Sequence, residues 1–241
     1  MKKITGLSLL MFQVFICLAQ PNVNDTGISA VKELYYKHIP TNQLLRSGRS
    51  YEHFYLATEG NQYLIDALAH SGELRYEGMI YRDVLLNYDI YNQLIFVSFA
   101  REGYQRSIIL NEKRITYMDL LGMRFVYLPE DFDPEIPEGI YQEVFKGKDY
   151  GFWVKRRKKL NKQTTNSSGG NRHTFTQEDL YYIKNGGEIS RFSNKKELLS
   201  ALGNTQEAIA LIKEHNLSFN KRKPEFVQNT GILLSLLEKD R

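Results

Sequence analysis

Between residues 51 and 157 the chain breaks into short apolar and aromatic runs, set about ten residues apart by turn signals, and that spacing points to an antiparallel sandwich, barrel or meander. The runs are 52–58, 73–76, 79–88, 94–99, 105–111, 115–119, 125–128, 140–145 and 150–157. Ser71-Gly72, Leu121-Gly122 and Lys146-Gly147-Lys148 stand between them and tolerate tight turns. Leu94-Ile95-Phe96-Val97 is apolar on both faces, so it is expected inside a sheet with cover on each side. Many of the 16 tyrosines fall in this region. Tyrosine suits half-buried strands, and it also suits sugar or peptide recognition.

After residue 193 the hydrophobic period changes. Asn194 precedes Glu197 by three residues and Asn204 precedes Glu207 by three, two patterns that resemble the box opening a helix. Gly203 stands where the first helix stops. Ala208, Ile209, Leu211 and Ile212 form one stripe, and a third helix beginning at Pro224 carries Phe226, Val227, Leu233, Leu234 and Leu237. The fold expected is α+β: an antiparallel β-sheet or partial barrel over about residues 51–192, covered by short C-terminal helices within 193–241. Residues 161–171 hold no apolar side chain, so the basic and polar stretch 155–172 is expected to be a flexible loop. The alternative is a long hairpin, since 181–183 and Glu188–Phe192 flank Asn185-Gly186-Gly187 like two further strands. Residues 28–38 suit a short helix, with Val31, Leu34 and Tyr35 on one face.

The first twenty residues have the parts of an export signal. Lys2 and Lys3 open it, an apolar run from Ile4 to Ile16 follows, and Cys17-Leu18-Ala19-Gln20 closes it, with cleavage expected after Ala19 or Gln20. The run is too short to span a bilayer and contains Gln13; no later segment is apolar enough to span either. Ile16 before Cys17 argues against lipid attachment. The expected mature chain has no cysteine, hence neither disulfides nor thiol chemistry. Residues 21–50 form a lead-in to the β-rich domain. Loss of Lys2 and Lys3 takes the formal charge from +4 to +2, too small to argue for a nucleic-acid partner.

Signatures of catalysis are missing: the sequence has no G-x-S-x-G elbow, H-E-x-x-H pair, Walker loop or G-x-G-x-x-G. His38, His53, His70, His173 and His215 lack metal-ligand spacing, so neither a metal nor a cofactor is expected. Glu130, Asp131, Asp133, Glu135 and Glu138 crowd one nine-residue stretch. Counted from Asp131, the glycine and glutamate of a helical calcium loop fall on Ile136 and Gln142, so that motif fails and a solvated acidic loop remains. Lys155, Arg156, Arg157, Lys158, Lys159, Lys162 and Arg172 form a basic stretch without a carboxylate, leaving −5 on the rest of the mature chain. Such a patch suits phosphate, lipid headgroups or an acidic partner, and equally an edge strand that resists aggregation.

The run Gly72-Glu73-Leu74-Arg75-Tyr76-Glu77-Gly78-Met79-Ile80-Tyr81, then Leu85-Leu86-Asn87-Tyr88-Asp89, resembles a group of uncharacterised exported, β-rich proteins of Bacteroidota. The resemblance implies a secreted or envelope location, periplasmic or outer-membrane associated, and a β-rich body; it transfers no catalytic residue. The leading expectation is therefore a non-catalytic envelope protein that binds a partner protein, a surface ligand or a lipid surface through Lys155, Arg156, Arg157, Lys158 and Lys159 and through Glu130, Asp131 and Asp133. Two alternatives stand beside it: a carrier of a lipid or other apolar molecule, and a hydrolase whose carboxylates, such as Asp83, Asp89 and Asp119, meet in space.

Overall fold

The structure is a computed structural model that describes residues 44–52, 59–101, 104–164, 171–221, 223 and 225–239. The chain divides into two units, Met1–Leu44 and Leu45–Arg241, and the strands and helices named here belong to the second. The proposed export signal, the helix at 28–38, most of the run 52–58 and Pro224 lie outside the described residues.

Among the described residues twelve strands succeed one another in chain order: β1 (His70–Tyr76), β2 (Met79–Asp89), β3 (Leu94–Arg101), β4 (Tyr104–Ile109), β5 (Ile115–Leu120), β6 (Met123–Leu128), β7 (Gly139–Lys146), β8 (Tyr150–Lys155), β9 (Lys158–Thr164), β10 (Asn171–Gln177), β11 (Leu180–Asn185) and β12 (Glu188–Phe192). Helices α1 (Lys195–Ala201), α2 (Gln206–Glu214) and α3 (Glu225–Lys239) come after them, an α+β arrangement. Ten strands form one open antiparallel sheet in the order β12-β11-β8-β7-β6-β5-β1-β2-β3-β4, and β9 pairs with β10 apart from it. The sheet is thus two meanders that diverge from the β1–β5 pair.

The link from β4 to β5 dictates curvature. It must cross β3, β2 and β1, four strand spacings or about 19 Å if the sheet were flat. Residues 110–114 include a helical turn at Glu112–Arg114, which cuts their reach to about 16 Å. The sheet therefore curls, and Leu74, Leu86, Tyr88, Val97, Ile108, Met118 and Phe125 fill the inside of the curl. Gly72 of β1 pairs with Leu120 of β5, and a Cβ there would stand 2.5 Å from the Asp119 carbonyl oxygen. Beside it the β1–β2 register shifts between Gly72 and Leu74, a bulge that leaves Asp83 at φ 55°.

The helices cover the other end of the sheet. Phe152 and Val154 of β8, Ile183 of β11 and Phe192 of β12 pack with Leu198, Leu211, Ile212, Phe226, Leu233 and Leu234. Their reach stops there. The two-faced strand β3 is covered on its second face by Tyr51, whose ring stacks on Phe96 at 4.0 Å, and by Tyr63. Cover for that strand comes from the residues ahead of the sheet, not from the tail.

Two local expectations change. The stretch 155–172 is not one loop: β9 and β10 pair over seven residues, and the buried ring of Phe175 opposite Leu160 meets Tyr91 at 5.2 Å. That apolar cross-strand pair, together with hydrogen bonds from the Phe175 N–H to the Glu59 carbonyl at 3.1 Å and from the Glu59 N–H to the His173 carbonyl at 3.2 Å, docks an otherwise polar ribbon. The cap of α2 is Thr205, whose Oγ1 accepts the Ala208 N–H at 3.2 Å, not Asn204. Asn204 at φ 51° follows Gly203 at φ 77° and completes the exit from α1. The cap of α1 is the one expected, with Asn194 Oδ1 accepting the Glu197 N–H at 3.0 Å. Among the described residues no helix is long and apolar enough to cross a membrane.

Candidate functional site

The basic run lies where β8 leaves the sheet for the β9–β10 ribbon, and most of it is spent on the fold. Strand alternation puts Lys155 on the same face as Trp153, and its Nζ stands 4.7 Å from the centre of the Tyr141 ring. Burial pushes its ammonium down from the ordinary lysine value. Arg156 pairs with Asp179, both nearly buried, and its Nε donates to Gln142 Oε1 at 2.8 Å. Arg157 donates to the Glu178 carbonyl at 2.9 Å and meets the Glu178 carboxylate at 3.4 Å. Lys158 donates to the Tyr63 carbonyl and to Asn61 Oδ1, and burial pushes its ammonium down too. Of the five cations expected to meet a partner, Lys159 alone is exposed without an ion pair among the described residues. The run is a junction that fastens ribbon to sheet.

A cavity of about 730 Å³ opens beside that junction. Arg156, Glu178, Asp179, Tyr181 and Ser193 line one side, and Lys221, Lys223 and Val227 the other. Arg156 and Asp179 neutralise each other, and Glu178 is turned toward Arg157. Lys221 and Lys223 are exposed and join no ion pair among the described residues. Burial, followed by the charge of Asp179, pushes the Tyr181 hydroxyl above the ordinary tyrosine value, so it enters the cavity as a neutral hydroxyl. The cavity can therefore accept negative charge without first breaking an internal pair. Sequence reasoning found Arg156 and missed Lys221 and Lys223, although Lys221-Arg222-Lys223 is a second basic run in plain view.

The acidic stretch covers part of the outer sheet face. Ile136 is buried against Tyr141, Trp153 and Tyr182, the Tyr141 hydroxyl donates to the Pro137 carbonyl at 2.6 Å, and Phe132 meets Trp153 edge-on at 5.5 Å. Glu130 and Asp131 are exposed and line a shallow depression with Lys113, Tyr127, Pro129 and Glu138. Asp133 stands outside it, its Oδ1 accepting the Glu135 N–H at 2.9 Å within the loop. Glu138 accepts from Lys113 and from the Tyr127 hydroxyl, which hold its carboxyl below the ordinary value. A neighbouring groove of about 360 Å³ is lined by Tyr117, Arg124, Tyr127, Phe132, Glu143 and Trp153 among others.

Two of the carboxylates considered for hydrolysis have a structural task. Asp119 accepts Arg124 Nε at 2.8 Å and Nη2 at 2.6 Å. Asp83 sits exposed at the bulge. Asp89, with 0% of its surface exposed, closes the β2–β3 turn: Oδ1 accepts the Tyr91 and Asn92 amides at 3.1 and 2.8 Å. Its Oδ2 accepts the Tyr51 hydroxyl at 2.7 Å, Gln62 Nε2 at 2.7 Å and Asn92 Nδ2 at 2.8 Å. Burial, then hydrogen bonding to Tyr63 and Asp89, pushes the Tyr51 hydroxyl far above its ordinary value, so it stays a donor. Among the described residues no three of His, Cys, Asp and Glu are grouped to hold a metal ion. No protein-family model matches the chain, and neither a curated protein nor a solved structure matches it.

Proposed function

We propose that this chain is an exported, non-catalytic binding protein that holds an acidic segment of a partner protein in the cavity beside Arg156. The observation that carries the proposal is the pair of lysines, Lys221 and Lys223, standing on the cavity wall without an ion pair among the described residues, while the neighbouring Arg156 is already matched by Asp179. Cations in a concave wall attract and orient an anion without the cost of breaking an existing pair. The export part rests on residues 1–20 and assigns the protein to the cell envelope or outside it. Packing favours this over an apolar carrier, because Phe152, Phe192, Phe226, Leu233 and Leu234 fill the space between sheet and helices where cargo would sit. It also favours it over hydrolysis, because Asp89 and Asp119 are engaged by Tyr51, Gln62, Asn92 and Arg124, and Asp83 stands exposed at the β2 bulge.

The test is fluorescence anisotropy with a labelled Glu-rich peptide, and a Lys-rich peptide as control. The expected result is binding of the acidic peptide that weakens with salt and falls about tenfold in Lys221→Glu/Lys223→Glu, the combined loss of two exposed ion pairs at up to about 1 kcal/mol each. Lys159→Glu, a charge change of the same kind away from the cavity, leaves binding within about twofold. Equal loss in both variants refutes the cavity as the site.

A further inference from the structure

We propose that the groove over the outer face of β5–β8 is a second binding site, for a neutral saccharide, with the Trp153 indole N–H as the donor that the ligand satisfies. Trp153 is 3% exposed, and its Nε1 is a buried donor that meets no acceptor among the described residues. Buried donors are nearly always paired, so an orphan needs an explanation, and a ligand oxygen in the adjoining groove is one. The ring is held in place: its six-membered edge lies over Gly151, where any added Cβ would stand 2.4 Å from it, and Phe132 abuts it. Phe132 is 39% exposed, belongs to the acidic loop and lines the groove with Trp153, and binding requires that ring to move aside for a ligand oxygen to reach Nε1.

The surroundings specify the class of ligand. Glu143 lies directly across the strand pair from Trp153, accepts no hydrogen bond from the described residues, pairs with Lys146 at 3.6 Å and lies near enough to Arg124 for the two charges to interact. A carboxylate acceptor beside an indole donor and a lysine suits a ring of hydroxyls. Tyr127, Phe132, Val126 and Leu128 supply apolar surface for the C–H face of such a ring. Charge in the groove is close to balanced, since Arg124 is held by Asp119 and Glu143 opposes Lys146, so nothing there calls for a charged ligand. Peptides that bind as added strands need a free sheet edge. β5, β6, β7 and β8 are interior strands paired on both sides, so recognition here falls to side chains.

Trp153 is the one tryptophan in the chain, which makes the test specific. The ¹⁵N-labelled full chain gives a single indole N–H resonance, followed while maltose, cellobiose, lactose and chitobiose are each added to about 10 mM, near the weak end of specific recognition. The expected result is a saturable downfield shift of that resonance with at least one sugar, with quenching of tryptophan emission. Trp153→Phe keeps an aromatic ring and removes the donor, and Glu143→Gln keeps the shape and removes the charge. Each is expected to weaken binding about tenfold, read by calorimetry, as loss of one well-placed hydrogen bond does. If Trp153→Phe fails to fold, Glu143→Gln decides. An indole resonance unmoved by all four sugars overturns the proposal, as does unchanged affinity in the folded variants. A resonance moved by an uncharged tripeptide and by no sugar assigns the groove to protein instead and overturns it too. The acidic-peptide experiment concerns different residues, so either site can fail without the other.

Discussion

Glu238, in the last turn of α3, is expected to lock that helix to the β7–β8 turn. Its carboxylate accepts the backbone N–H of Lys148 at 2.7 Å, of Asp149 at 3.1 Å and of Tyr150 at 3.0 Å. A carboxylate near a helix C-terminus is disfavoured by the dipole by about 0.5 kcal/mol. Hydrogen bonds to a charged acceptor contribute about 1.5–3 kcal/mol each when buried, but the turn is partly open and its amides regain water when the acceptor is removed. Glu238→Ala should therefore cost about 2 kcal/mol, or about 4–8 °C in Tm for a body of this size. Gly147 supplies the internal control, because a Cβ there would stand 2.5 Å from Glu238 Oε2. Gly147→Ala is expected to displace the carboxylate and cost a similar amount alone, and almost nothing in the Glu238→Ala background. Thermal unfolding followed by circular dichroism gives the cycle, and hydrogen exchange at Lys148, Asp149 and Tyr150 localises it. Strictly additive losses, or a Glu238→Ala shift under about 1 °C, refute the clamp.

Other expectations concern pH and packing. Hydrogen bonds from Ser193 and Asn194 hold the Glu197 carboxyl below its ordinary 4.5, so its share of stability is complete above that pH and is lost as pH falls through the lower folded value. The Tm difference between the protein and Glu197→Gln should shrink below pH 4.5, and a difference constant down to pH 2 counts against the cap. Burial raises the hydroxyls of Tyr51, Tyr63, Tyr88 and Tyr182 above 10.0. Their stabilisation is complete below pH 10.0 and is lost above it, so phenolate absorbance should appear together with unfolding rather than ahead of it. Gly72→Ala forces a methyl against the Asp119 carbonyl and should cost about 1–3 kcal/mol, measured by urea unfolding. Phe175→Ala should speed amide exchange across Lys158–Thr164 and Asn171–Gln177 while leaving exchange in β1–β3 unchanged.

Much of the sheet was legible because its strands carry their own apolar signal. The runs that became β2, β3, β5, β6, β7 and β8 each hold several large apolar residues, and turn residues part them. The ribbon β9–β10 was not legible, since its only apolar residues are Leu160 and Phe175 among polar neighbours, and its docking uses Tyr91 and the Glu59 backbone from other parts of the chain. Charge misled for a related reason. A sequence displays Lys155 to Lys159 as a patch, but not that Asp179, Glu178 and the Tyr63 carbonyl stand opposite them. Lys221 and Lys223, which join no close ion pair among the described residues, were equally visible and differ in what faces them.

Both proposed sites follow from uneven cover of one long sheet. A ten-stranded open sheet has more surface than three short helices can roof, and here one end solves the problem by curling on itself while the other takes the helices. Neither solution reaches the outer face of β5–β8. Among the described residues that face receives the acidic loop, anchored by Ile136 and Phe132, and a loop pinned at two points leaves the surface on either side of it unfilled. The groove and its orphan indole are what remains. At the helical end the cover stops at the segment before α3, and the cavity with Lys221 and Lys223 opens between that segment and the β10–β11 connection. Concavity therefore arises where cover ends, and the side chains exposed there, aromatic with a carboxylate in one place and cationic in the other, set what each can hold.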